Sequence, residues 1–221
     1  MKRIIGMLVL FCAGGIFFIA KAQNEVKINT NFVVETDGTM RVDNAATVWD
    51  DLRVTLDNGS DAARLGSLTG LDGPQIWFCR NTGVDAMSFT VQLPHSYMEG
   101  TRIYPHLHWA PKTSTTGNVE WNLDYSWVNY NSVTPEVFPG ITTSIVVATG
   151  PFTANTHLIT SLTAGNAGIV GTGKKISSIL ICRIWRNSAD TQDTYEADAG
   201  LLFLDFHYQL DTFGSREEYV K

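Results

Sequence analysis

The chain has 221 residues, with 16 Lys and Arg against 22 Asp and Glu and a formal charge of −6. An acidic chain repels phosphate backbones and anionic lipid, which argues against nucleic-acid binding and against a peripheral membrane surface. Neutral partners stay open: other proteins, further copies of the chain, or a cell-surface glycan.

In chain order the first feature is a targeting segment. Met1, Lys2 and Arg3 precede an uncharged run from Ile4 to Ala20, and Ala20-Lys21-Ala22 places a small-x-small site before Gln23. That order predicts a signal peptide over 1–22, cleaved after Ala22, and export to the periplasm, the cell exterior or a particle surface. The competing reading is an uncleaved anchor, since about 17 apolar residues lie at the lower edge of bilayer-spanning length. The bulky Phe11 ahead of Cys12 argues against lipid attachment. Cleavage removes Lys2, Arg3 and Lys21, leaving 13 basic against 22 acidic residues and a charge of −9, with no membrane contact expected afterwards. Cys79 and Cys182 remain. An even pair in an oxidising compartment invites a disulfide. Each lies in an apolar run, at 75–80 and 176–185, so two buried thiols are the alternative.

Residues 23–45 are expected to form an N-terminal extension or the first strands, and 46–221 a single domain. No apolar period near 3.6 is sustained after the signal, whereas period-two alternation recurs throughout. Strands are expected at 26–35, 39–42, 47–56, 75–80, 87–93, 102–109, 119–127, 141–148, 157–162, 176–186 and 202–210. Within 119–127, Val119, Trp121, Leu123, Tyr125 and Trp127 define a buried face, and Glu120, Asn122, Asp124 and Ser126 a wet one. In 202–210 the buried set is Leu202, Leu204, Phe206, Tyr208 and Leu210, opposite Asp205, His207 and Gln209. The segment 58–74 lacks alternation and is expected to be a surface loop or a short helix. Short strands with Gly-rich turns between them predict an all-β fold, a two-sheet β-sandwich of the jelly-roll kind.

The sharpest local feature is Tyr104-Pro105-His106-Leu107-His108-Trp109. On a strand, His106 and His108 project from one face and Leu107 and Trp109 from the other. Two imidazoles so placed suit one divalent first-row metal ion, which then needs further donors. His207 is the expected third ligand, with Glu120, Asp124 or Asp205 as candidate carboxylates. Gly100, five residues and His106-Leu107-His108 also match the first half of the cupin metal motif. Lys112 and Thr113 stand where that motif wants a glutamate, and Gly150-Pro151 through His157 is a poor echo of its second half. The residues leave two readings open: a metal site, or two satisfied histidines on a polar face. No other cofactor is expected.

Tryptophans 49, 77, 109, 121, 127 and 185 suggest sugar stacking, but Trp109, Trp121 and Trp127 fall on apolar faces, where core packing accounts for them. There is no Gly-x-Ser-x-Gly elbow, and Ser177 and Ser178 have no histidine nearby in sequence. No catalytic residues are therefore assigned, and the expectation is a non-enzymatic protein.

Several motifs carry a family resemblance: Ala46-Thr47-Val48-Trp49-Asp50-Asp51-Leu52, Gln92-Leu93-Pro94-His95-Ser96, Asp198-Ala199-Gly200-Leu201-Leu202, Asp205-Phe206-His207-Tyr208 and Gly214-Ser215-Arg216-Glu217-Glu218-Tyr219. Over most of 45–221 the chain resembles a family of virion-associated proteins of tailed phages and prophages. The resemblance implies a virion structural or tail-associated role, assembly or attachment in place of catalysis. A signal peptide is not expected of a virion component assembled in the cytoplasm, which implies either an exported relative or a misassigned start.

Overall fold

The structure, a computed structural model, describes residues 26–27, 31–43, 48–56, 58–61, 63–68, 73–131 and 133–221. The expected signal peptide and Cys12 lie outside the described residues. The strands are β1 (Val26–Lys27), β2 (Phe32–Val34), β3 (Met40–Val42), β4 (Val48–Val54), β5 (Asn58–Asp61), β6 (Arg64–Gly66), β7 (Ile76–Cys79), β8 (Val84–Gln92), β9 (Ile103–Pro111), β10 (Asn118–Val128), β11 (Thr142–Thr149), β12 (Leu158–Ser161), β13 (Ile179–Asn187) and β14 (Ala199–Leu210).

Their pairing is nested. The hairpin β10–β11 lies innermost, and β9 with β12, β8 with β13 and β7 with β14 follow outward, all antiparallel. These pairs make one long two-stranded ribbon. Folding the ribbon over sets β9 beside β14 and β10 beside β13. The result is two sheets, β12-β9-β14-β7-β6 with β4 also on β14, and β11-β10-β13-β8-β5. This is the jelly-roll sandwich that the alternation predicts. Strand β14 pairs with β9 along one edge, and β7 and β4 share the other. Strands β1 to β3 form a small separate sheet from the 23–45 region, tied to the C-terminal segment by the Val42 N–H to Asp211 carbonyl bond at 2.6 Å.

The core forms between the sheets from alternate residues. Leu107 and Trp109 of β9, Trp121 and Leu123 of β10, and Leu204 and Phe206 of β14 are all fully buried. Trp109 meets Trp121 edge to face across the sandwich, with ring centroids 5.6 Å apart. Neighbouring side chains His106, His108, Asp205 and His207 are thereby turned to the outer face, because successive residues of a strand point to opposite sides.

Three expectations are corrected. Leu202 is half-buried, because a register shift between Leu201 and Phe203 changes the phase of β14 and gives the core position to Leu201. The polar face of β10 is buried, with Glu120, Asn122, Asp124 and Ser126 all at 8% exposure or less. Apart from the Asn122 side-chain oxygen, these polar groups find partners within the fold. Arg183 pairs with Asp124 at 2.7 Å, Asn122 donates to Glu120 at 2.9 Å, and Ser126 donates to the Pro139 carbonyl at 2.7 Å as the loop before β11 folds back. Finally, the 58–74 segment contains two short strands, β5 and β6, each added to a sheet edge, in place of a loop or helix.

Of the two cysteine readings, the buried thiols are the ones found. Cys79 and Cys182 are both unpaired and buried. Burial, with the Asp85 charge adding to it, pushes the Cys79 thiol up to about 12, and burial pushes Cys182 up as well. Since the thiolate is the reactive form, neither should react with an aromatic disulfide reagent at pH 8 in the native protein, and both should react in guanidinium chloride. Rapid labelling of the native protein would contradict this packing, and denatured protein lacking both thiols would show a disulfide instead.

Candidate metal and ligand site on the outer face

The outer face of the larger sheet collects the polar residues of four strands. Register sets Asp205 opposite His106 and His207 opposite Tyr104 between β14 and β9, while β4 brings Asp51 opposite His207. On the other side of β9, Ser161 of β12 lies opposite His106 and Ile159 opposite His108.

His106, His108 and Asp205 converge. One ligand-capable atom from each lies within 4.8 Å of the other two. The Nε2 of His106 stands 2.6 Å from Asp205 Oδ1, and that of His108 stands 3.4 Å from Oδ2. Both imidazoles are held through their other nitrogen. His106 Nδ1 lies 3.3 Å from the Tyr104 carbonyl, which can only accept, so Nδ1 is the donor there and Nε2 faces Asp205. His108 Nδ1 is 2.7 Å from His157 Nε2. Despite these short separations, His108 Nε2 and Asp205 Oδ1 are buried with no hydrogen-bond partner among the described residues. The 2.6 Å contact is close in distance but misdirected for an N–H to O bond.

Asp205 is only 4% exposed. Burial raises its carboxyl above the ordinary carboxylate range, although both imidazoles pull the other way. For His108, burial likewise dominates and lowers the imidazole below its usual value, against the pull of Asp205. Each environment works against holding charge alone.

His207, the expected third ligand, is on the same face but outside this donor set. Its Nδ1 donates to Asp51 Oδ1 at 2.6 Å, and its ring stacks on Trp49 with centroids 4.9 Å apart and an interplanar angle of 2°. The carboxylate of Asp205, one of three candidates from sequence, takes the third place, while Glu120 and Asp124 belong to the other sheet. His157, at the end of the weak cupin echo, reaches His108 from behind and does not join the three.

Beside the triad lies a groove of about 620 Å³, with Trp49, Asp51, Tyr104 and His207 at one wall and Ile159, Ser161 and Asn166 at the other, His106 being common to groove and triad. Trp49 and Tyr104 meet edge to face at 5.5 Å. The turn after β12 closes down on Tyr104 because Gly168 adopts φ +71°, and a Cβ there would stand 2.8 Å from the Tyr104 ring. The same turn presents Asn166, whose side-chain oxygen accepts from the Ser161 hydroxyl at 3.0 Å.

Two other clusters were not evident from sequence. His95 Nε2 lies 3.1 Å from the Ser177 hydroxyl, and its Nδ1 meets the Ser215 hydroxyl. With Ser177 buried and both nitrogens of His95 meeting hydroxyls, this differs from a nucleophile triad. A hollow of about 720 Å³ on the outer face of the other sheet is walled by Ile141 and Ile181 over Asp124 and Arg183. Its charges already satisfy each other.

The fold and site define a jelly-roll sandwich with a histidine, carboxylate and aromatic patch on one outer face. No family model matches the sequence, and no curated protein matches it. Among solved structures, the chain is similar to the carbohydrate-binding module TmCBM61 in complex with β-1,4-galactotriose, at 12% identity and a TM-score of 0.31, over 74% of this chain and 88% of that one. The assignment of the fold rests on the strand pairing itself.

Proposed function

We propose that the chain is an exported, non-enzymatic attachment module, of the phage-like kind its C-terminal motifs suggest, which holds a polyhydroxylated target such as a surface glycan in the outer-face groove. The observation that carries this reading is the composition of the groove. Trp49 and Tyr104 supply apolar ring surface, and Asp51, Ser161, Asn166 and His207 supply fixed hydrogen-bonding groups around it. Sugar rings need both, a flat apolar contact for their C–H faces and directed partners for their hydroxyls. The groove lies on paired strands, so its rings are held before any ligand arrives.

A glycan array followed by calorimetry on the best binder tests it. Trp49→Ala should weaken binding at least tenfold, the loss of one large ring contact of about 1.4 kcal/mol or more, while Ile181→Ala on the opposite sheet should leave it unchanged. Binding that survives Trp49→Ala and Tyr104→Ala, or an array without any binder, would remove the glycan reading.

A further inference from the structure

We infer that His106, His108 and Asp205 form a binding site for one first-row divalent cation, zinc being the simplest occupant. The inference stands on its own donor set and does not depend on the glycan reading.

The geometry calls for a cation in three ways. First, Asp205 is 4% exposed, and its Oδ1 has no hydrogen-bond partner among the described residues although an imidazole nitrogen stands 2.6 Å away. Second, His106 Nδ1 faces the Tyr104 carbonyl at 3.3 Å, which leaves Nε2, 2.6 Å from that carboxylate oxygen, as the nitrogen free to bind. Third, His108 Nε2 is also buried and unpartnered, 3.4 Å from the other oxygen of the same carboxylate. A proton can bridge His106 to Asp205, but it leaves His108 Nε2 unsatisfied. A cation accepts all three lone pairs at once.

The ligand chemistry chooses the class of ion. Two imidazole nitrogens and one carboxylate oxygen suit zinc, cobalt, nickel or copper, whereas calcium and magnesium want oxygen alone. Three protein ligands leave a fourth position open for water or a hydroxyl of a bound molecule. The second shell is also in place. Ligating histidines donate their other N–H to a fixed acceptor, as His106 does to Tyr104 and as His108 can to His157 Nε2. His157 is thus a positioning residue, acting through His108.

The test uses the purified protein without a histidine tag, stripped with chelator and dialysed against cobalt or zinc chloride. The expected result is one metal per chain, visible d–d bands with cobalt that zinc abolishes, and no comparable uptake of magnesium or calcium. His106→Ala, His108→Ala and Asp205→Asn should each reduce stoichiometric uptake to background. His157→Ala should weaken affinity by about 10- to 100-fold, and His157→Gln, whose amide oxygen can still accept the His108 proton, should restore most of it. Trp49→Ala should leave metal uptake unchanged, which separates this site from the groove. Failure of the unmodified protein to hold one metal per chain overturns the inference without recourse to any variant, and it would leave a proton-bridged His106–Asp205 pair as the occupant. Uptake that persists in folded variants lacking either histidine overturns it equally.

Discussion

Replacing Arg186 with Met is expected to destabilise the domain by about 3–5 kcal/mol, the cost of breaking a buried ion pair from one side. Arg186 is fully buried at the end of β13, and its guanidinium meets both oxygens of Asp193 at 2.8 Å. It also donates to the carbonyls of Tyr195 and Ala197, at 2.6 and 2.7 Å. One side chain therefore fastens the whole connection from β13 to β14. Methionine fills similar space but strands the carboxylate of Asp193, itself 7% exposed, with the Glu120 N–H as its remaining partner at 3.1 Å. Urea denaturation measures the loss. Pairing Arg186→Met with Asp193→Leu should recover part of it, since the uncompensated charge is then gone. A single variant with unchanged midpoint would mean that the pair contributes nothing.

Phe206→Ala is expected to cost a similar amount, about 3–5 kcal/mol, from lost burial and the cavity left behind. Phe206 is fully buried in the middle of β14, in register with Leu52 of β4 and Pro105 of β9, and its ring reaches Phe89 of the facing sheet at 6.4 Å. Its chain neighbour His207 points the other way and is partly exposed. His207→Ala should shift stability by no more than about 0.5 kcal/mol, as exposed positions do. The contrast between adjacent residues is the informative readout in thermal melting. Equal effects at 206 and 207 would contradict the assignment of inner and outer faces.

That assignment was legible in the sequence, because period-two alternation, clearest at 119–127 and 202–210, separates the residues facing the core from their chain neighbours without any knowledge of their partners. The same alternation placed His106 and His108 together on the outside. What it could not give was the third donor. Asp205 and His207 lie two apart on the same face of β14, and only the register, Asp205 opposite His106, decides between them. The burial of Glu120, Asn122 and Asp124 was illegible for a related reason. A polar residue reads as wet unless its partner is known, and Arg183 and the loop before β11 are remote or irregular in sequence. The bulge at Leu201/Phe203 changes phase within one strand, which a period-two reading carries straight through. Arg186 follows the apolar run at 176–185, and nothing local in the sequence shows that Asp193 folds back over it.

The nested ribbon has a kinetic consequence. Strand β14 pairs with β4, β7 and β9, so the middle of the larger sheet is made from a chain segment that emerges in synthesis only after all three of its partners. Until residues 199–210 arrive, those three strands have open edges, the form of exposed backbone most prone to pairing with another molecule. Contacts this distant in sequence also slow folding, because the loop must close before the pairing rewards it. Refolding from denaturant should therefore be slow for a domain of this size and its yield should fall with protein concentration, with β14 as the strand whose docking decides between folding and aggregation.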